Sequence, residues 1–291
     1  MPVLFGPTGS GKTAALCRLT DVYGDKFEVI ACDSRQLYRG LEITSAAPTS
    51  DELAIIPHHL ISILDPNEET TAFRFRRLAA EAVTDILSRG HVPVLSVGTG
   101  FYFKAVRTRT QVSTPDASVR EAIQSMTPSQ RLSELSLKRP DLLQKGGGRI
   151  HENDDYRIGR ALENLVPGRE DLLPEFPCEF LSFYLDISVS DLNERLRLRV
   201  LKMIELGLVE ELRGVFDRFG KCPGLSLIGF DLVQLLLTGE LSANDFAERL
   251  WIEHRQYAKR QRTWFRREKI EARGSWADFV SWVGLFVDPR R

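Results

Sequence analysis

Residues 6–13 of this chain read GPTGSGKT, a match to G-x-x-x-x-G-K-[ST]. Gly6, Pro7, Thr8, Gly9, Ser10 and Gly11 supply a backbone that can curl until its N–H groups converge on an anion. The helix expected next points its positive end at the same spot. Lys12 can reach the outer phosphate, and the Thr13 hydroxyl can hold Mg²⁺. The spacing specifies a diphosphate or triphosphate and leaves open which one.

Other residues could act on that phosphate. Asp33 closes the apolar run FEVIACD, and Ser34, Arg35, Gln36 and Tyr38 follow it. Three readings of Asp33 stand side by side: a Walker-B metal ligand, a general base facing the phosphates, or the N-cap of a helix over SRQLY. Thr99 sits in the glycine turn VGTG. Arg195 and Arg199 lie at i, i+4 in SDLNERLRLRVLKMIEL, a helix expected to open on a capping box of Asp191 and Glu194. Two like charges at that spacing cost about a few tenths of a kcal/mol, which a shared anion would reverse. Arg255, Lys259, Arg262 and Arg266 form a stripe at i, i+4, i+7, i+11, with Tyr257, Trp264 and Phe265 interleaved. Such cations neutralise nucleic-acid phosphates or face water, while the aromatics stack on bases or pack in a core. Arg157 and Arg160 in YRIGR stand one helical turn apart.

Secondary structure has to bring these groups together. PVLF (2–5), FEVIACDS and HVPVLSVGTG read as strands, separated by the helical stretches KTAALCRLTDVYG and TAFRFRRLAAEAVTDILSRG. The second places Phe75, Leu78, Ala79, Ala82, Val83, Ile86 and Leu87 on one face. Alternating strands and helices imply a parallel sheet flanked by helices, a P-loop NTPase-like α/β core. Ligands of such sheets bind beyond the carboxyl ends of the strands, where Asp33 and Thr99 fall. Residues 113–180 read as a helical insertion, with a hinge or turn at KGGGR, and FLSFYLDIS restores a strand. The expected division is therefore a core of residues 1–112 and 181–291 with an insertion domain at 113–180.

Composition narrows the class. With 43% apolar and 27% charged residues over 291 positions, the chain suits a soluble globular protein. The formal net charge of −1 excludes a chain basic throughout but not one with a local basic stripe. Cys17, Cys32, Cys178 and Cys222 form no CxxC pair and fit no zinc spacing. No apolar run is long enough for a membrane span, and the loop begins too early for a signal peptide. These totals lead to the expectation of a cytoplasmic protein without membrane contact; a monomer is expected as well.

The segments GPTGSGKT, DSRQLYRGLEITSAAPT, PHHLISILDP, VGTGFYFKAV, IHENDDYRIGRALEN and QYAKRQRTWF occur in this order. Together they resemble the tRNA dimethylallyltransferase, or tRNA isopentenyltransferase, family over about residues 3–269. The resemblance implies transfer of a dimethylallyl group from its diphosphate to N6 of the adenosine 3′ of the anticodon, with release of pyrophosphate. It implies Mg²⁺ as cofactor and a tRNA anticodon stem-loop and dimethylallyl diphosphate as partners. Asp33 becomes the base, with Thr99, Lys12 and Arg199 beside it; residues 6–13, Arg199 and, second, Arg195 hold the diphosphate. Contacts to tRNA are implied for Asp33, Ser34, Arg35, Gln36, Thr99, Arg120, Tyr156, Arg157, Ile158, Gly159, Arg160, Gly229 and Phe230, alongside the stripe of Arg255, Lys259 and Arg262. The insertion domain would clamp the anticodon loop. Tyr156 stands where the family usually has glutamine, Ala47 where lysine is common, and Asp231 where a basic or amide residue is usual. The rival readings are an adenylate isopentenyltransferase, a small-metabolite kinase using Asp33 or Asp186, and a non-catalytic RNA-binding protein.

Overall fold

The computed structural model describes residues 1–107, 112–114, 116–166, 169–171 and 176–287. The chain divides into two units, Met1–Thr108 with Glu175–Arg291, and Arg109–Pro174. Both boundaries precede the expected ones at 112/113 and 180/181.

The larger unit is built on six parallel strands: β1 (Pro2–Phe5), β2 (Phe27–Cys32), β3 (His58–His59), β4 (Val92–Val97), β7 (Leu181–Leu185) and β8 (Ala272–Gly274). Their order is β3-β2-β4-β1-β7-β8, so the short first strand lies inside the sheet. Alternation along β1 explains why it can be so apolar. Val3 and Phe5 join one core with Ile30, Leu95 and Val97. Leu4 joins a second core with Val29, Val94 and Phe183 on the other face. A parallel sheet covered on both faces needs apolar residues at every position of its inner strands.

The helix Lys12–Tyr23 packs on the second face with Trp276–Val283. Ala72–Ser88 covers the first face and buries Phe75, Ala79, Val83 and Ile86, as its periodicity requires. The buried guanidinium of Arg76 donates to the carbonyls of Ala105 and Val106 at 3.0 and 3.2 Å. It thereby fixes the C-terminal end of Gly100–Arg107, the helix that starts just after Thr99.

The N-terminal ends of the strands are tied by one buried carboxylate. Glu28 on β2 accepts from His59 Nε2 at 2.7 Å, His91 Nδ1 at 2.6 Å and the Nε and Nη2 nitrogens of Arg89. Burial alone would raise its pKa. The hydrogen bonds from Arg89, His59 and His91 outweigh that and hold it at about 2. An unfolded glutamate titrates near ~4.3. The depressed folded value therefore stabilises fully above that pH and is lost as pH falls towards 2. Linkage gives about 3 kcal/mol. Denaturant melts between pH 7 and 3 should show the stability gap between the parent and Glu28→Gln closing as the solution is acidified. A gap constant with pH would contradict this.

The smaller unit is not wholly helical. Strands β5 (Val112–Thr114) and β6 (Arg169–Asp171) pair antiparallel at its base in sequence. Helices Ala117–Ser125, Pro128–Lys138 and Asp155–Glu163 enclose a small core of Leu135, Leu143, Ile158 and Leu162. KGGGR forms a turn. A Cβ on Gly146 would lie 1.9 Å from the Pro140 carbonyl oxygen, and one on Gly148 2.1 Å from Leu142. A side chain at either position would collide with the neighbouring backbone.

Candidate active site

Strand register builds the site. Phe5 pairs with Val97, and Val97 with Cys32, so their successors Gly6, Gly98 and Asp33 leave the sheet side by side. The phosphate loop, the aspartate and the threonine turn thus share one edge of the sheet.

The loop takes a shape only glycine tolerates at two points. Gly9 and Gly11 have φ of 82° and 93°, in the left-handed region. A Cβ on Gly9 would also strike Leu196 Cδ2 at 2.9 Å. Gly11 caps the helix Lys12–Tyr23. Lys12 Nζ donates to the carbonyls of Gly6 at 2.7 Å and Pro7 at 3.3 Å, which folds the ammonium over the loop. Burial lowers its pKa to about 8, opposed by the field of Asp33 and assisted by that of Arg199.

Asp33 is not a helix N-cap, because residues 33–40 form bends and turns and no helix. Its Oδ1 accepts from the Arg35 N–H at 2.9 Å, closing a local Asx turn. Its other oxygen packs on Gly98, where a Cβ would come within 2.2 Å. Burial pushes the carboxyl up, while the Arg35 N–H and the Lys12 charge pull it down. The net rise favours a proton acceptor.

Thr99 Oγ1 accepts from the Ser34 N–H at 3.1 Å. The N–H groups of Gly98 and Thr99 both donate to the Cys32 carbonyl. The Tyr257 side chain faces Thr99, and burial makes its hydroxyl harder to ionise. Tyr257 belongs to QYAKRQRTWF but had no assigned place in the site.

Two of the three arginines of the helix Val189–Glu205 reach the loop. Arg199 donates to Thr8 Oγ1 at 3.0 Å, and Arg195 to the Ser10 carbonyl at 3.3 Å. Leu192, Leu196, Val200 and Met203 are the buried face that holds them there. The helix begins earlier than expected. Ser188 is the N-cap, and its side chain accepts from the Asp191 N–H. On the β7 side of the loop a cavity of about 740 Å³ is lined by Arg18, Asp186, Asp191, Arg195 and Trp276. It contains neither Asp33 nor Thr99.

Among the described residues no cluster of His, Cys, Asp and Glu could hold a metal alone. Thr13, half-buried in the first turn after the loop, is compatible with Mg²⁺ completed by phosphate oxygens and water, the common way that ion is held.

The implied RNA contacts divide. Tyr156 is 78% exposed, and Arg157 is exposed with an ion pair to Asp154 at 3.3 Å. Arg160 is paired with Glu163, and Arg120 approaches the same carboxylate at 3.8 Å. Ile158 is 1% exposed in the core of its unit, so its side chain cannot meet RNA. Gly159 lies 3.6 Å, by its absent Cβ, from Arg131. Phe230 is likewise core, 5.6 Å from Phe216 by ring centroids, and the Gly229 N–H is held by Glu253. Arg35 donates to the Pro223 carbonyl and Gln36 to that of Ala46, so both brace the turn after β2. Arg255, Lys259 and Arg262 lie on the helix Ala243–Phe265, with Arg266 at its C-cap. Arg255 and Lys259 are exposed. Arg255 lies over Trp251 at 4.5 Å, whereas Arg262 lies near the Tyr184 hydroxyl. Phe265 is buried, and Trp264 packs edge-on to Phe103.

A parallel sheet with a phosphate loop after an inner strand, facing a carboxylate at the end of a nearby strand, defines a P-loop-like α/β protein suited to group transfer from a phosphate ester. The sequence pattern described as IPP transferase matches residues 36–268, and the chain belongs to that family. It is 36% identical over 279 residues to a tRNA dimethylallyltransferase of Leptospira interrogans, covering 91% of this chain and 92% of that one. It is 36% identical to tRNA dimethylallyltransferase 1 of Citrifermentans bemidjiense, covering 98% and 96%. The crystal structure of a tRNA isopentenylpyrophosphate transferase from Bacillus halodurans superposes with a TM-score of 0.70 at 30% identity, covering 98% and 94%. A eukaryotic dimethylallyltransferase described as acting on tRNA gives 0.76 at 25% identity, covering 100% and 80%.

Proposed function

We propose that this chain transfers the dimethylallyl group of dimethylallyl diphosphate to N6 of the adenosine 3′ of the anticodon in tRNA. The observation that carries this reading is the shared edge of Asp33 and the phosphate loop, set by the register of β1, β4 and β2. In the reaction the allylic carbon–oxygen bond breaks and a carbon–nitrogen bond forms. The bond electrons leave with pyrophosphate, and the N6 proton passes to Asp33.

The chemistry assigns each group a task. An exocyclic amine is a weak nucleophile, so a partly desolvated carboxylate beside it assists. Thr99, held by Ser34, orients the adenine. Charge growing on the leaving pyrophosphate is met by the loop N–H groups, Lys12 and Arg199, with Arg195 behind them. Mg²⁺ held at Thr13 would supply further charge neutralisation. The target base has to leave its stack, which costs about a few kcal/mol and least in a single-stranded loop.

The smaller unit, with exposed Tyr156 and Arg157, is assigned the grip on the anticodon arm. The exposed cations Arg255 and Lys259 would follow the RNA backbone. Replacing both with alanine should lower the slope of log affinity for tRNA against log salt by about one per lost phosphate contact. An unaltered slope would mean that this face meets only water. No described helix is long and apolar enough to cross a membrane. A cytoplasmic monomer, working where tRNA is found, completes the reading.

The test is incubation with dimethylallyl diphosphate, Mg²⁺ and total tRNA, followed by mass spectrometry of the nucleosides. N6-dimethylallyladenosine in the digest is the expected product. Alkylation of free AMP in place of tRNA would favour the adenylate enzyme. Phosphate transfer from ATP without alkylation would favour a kinase. Binding of anticodon loops with no product from either donor would leave an RNA-binding protein.

A further inference from the structure

The buried amide of Gln261 bridges the two halves of the site. Gln261 lies on the helix Ala243–Phe265 and is 6% exposed. Its Oε1 accepts from the Thr8 N–H at 2.8 Å, inside the phosphate loop. Its Nε2 donates to the Gly98 carbonyl at 2.7 Å, in the turn between β4 and Thr99. The partners fix the amide's orientation, since a backbone N–H needs the oxygen and a carbonyl needs the NH₂. Only a side chain with one acceptor and one donor at this reach satisfies both.

Each end of the bridge touches reaction machinery. Thr8 receives the Arg199 guanidinium on its hydroxyl while Gln261 holds its backbone. Gly98 is the residue against which the Asp33 carboxyl packs, and its neighbour Thr99 is bonded to Ser34. The sheet links these segments only up to Phe5, Val97 and Cys32. Beyond that row, the Gln261 side chain bonds to both the loop and the turn.

We propose that Gln261 is a positioning residue that sets the distance between the diphosphate loop and the Asp33–Thr99 pair. This rests on the transferase reading above. A substitution nucleophile must approach the carbon opposite its leaving group, so the two halves have to be held at a fixed separation. Misplacement by about 1 Å can lower a rate by about a hundredfold. The same helix carries Tyr257 one turn earlier, facing Thr99.

Two variants separate the halves of the bridge. Gln261→Glu keeps an acceptor for Thr8 and removes the donor to Gly98. Gln261→Leu removes both. Steady-state kinetics would give kcat and KM for each substrate, calorimetry the affinity for inorganic pyrophosphate, and thermal melts the folded fraction. For Gln261→Glu we expect kcat to fall about tenfold or more with KM for tRNA within about twofold of the parent, while the added carboxylate beside the loop weakens pyrophosphate binding. For Gln261→Leu we expect a fall in kcat of about a hundredfold together with weaker pyrophosphate binding. Should the leucine variant not fold, the glutamate variant decides. A kcat within twofold of the parent in Gln261→Glu overturns the proposal, as does a loss explained wholly by a smaller folded fraction. A parent that binds pyrophosphate but alkylates no tRNA would instead sink the transferase reading, leaving the effect of Gln261→Leu on pyrophosphate affinity to judge the bridge.

Discussion

Asp33→Ala is expected to bind tRNA nearly as well as the parent and to turn over about a hundredfold more slowly, or worse. The carboxyl is held by an Arg35 N–H and pressed against Gly98, so its oxygens have a fixed direction. Burial raises its pKa, which strengthens it as a base but makes it easier to protonate. The acid limb of kcat should therefore lie above the ordinary aspartate value near ~3.9 and vanish in the variant. Rapid-quench measurement of dimethylallyl transfer, with filter binding of tRNA alongside, checks both halves. Unchanged turnover would remove Asp33 from the chemistry. A matching collapse in tRNA binding would make it a docking residue.

Lys12→Met carries the second large effect. The ammonium bridges the carbonyls of Gly6 and Pro7 and is the one lysine folded over the described loop. Losing a donor aimed at charge that develops in the transition state costs about a hundredfold to a thousandfold in kcat. The pKa near 8 adds a signature. Its folded value is depressed, so the cation is lost as pH rises through 8, and kcat/KM for dimethylallyl diphosphate should fall above that pH in the parent. Lys12→Met should show low activity without that alkaline limb. Initial rates from pH 6 to 10 would decide it, and a limb that persists in the variant would assign it to another group.

Much of the site was legible because local spacing dictates it. Residues 6–13 bend the backbone by their own glycines, and Asp33 and Thr99 follow apolar runs that could only be strands. What local sequence left open was settled by partners distant in the chain. The N-cap reading of Asp33 failed because the turn after β2 is braced from afar. Glu211 accepts from the N–H groups of Ile43 and Thr44, and Gln36 donates to Ala46. Strands β3 and β8 are two and three residues long, His58–His59 and Ala272–Gly274, and carry no apolar pattern to announce them. They exist because the sheet edges offer them ladder partners. Ile158 and Phe230 illustrate a different failure. Each sits within a motif that includes exposed residues, and a motif does not say which face of a helix is turned inward. Gln261 was hidden in a basic stripe, since nothing in YAKRQRTW distinguishes the side chain that turns to the sheet from those that turn to solvent.

The most direct test of the account is a crystal structure of this chain with inorganic pyrophosphate and an anticodon stem-loop. Pyrophosphate is expected on the N–H groups of residues 6–13, with the adenosine N6 extruded to about 2.6–3.2 Å from an Asp33 carboxylate oxygen. An adenine seated away from Asp33, or pyrophosphate bound off the loop, would contradict it.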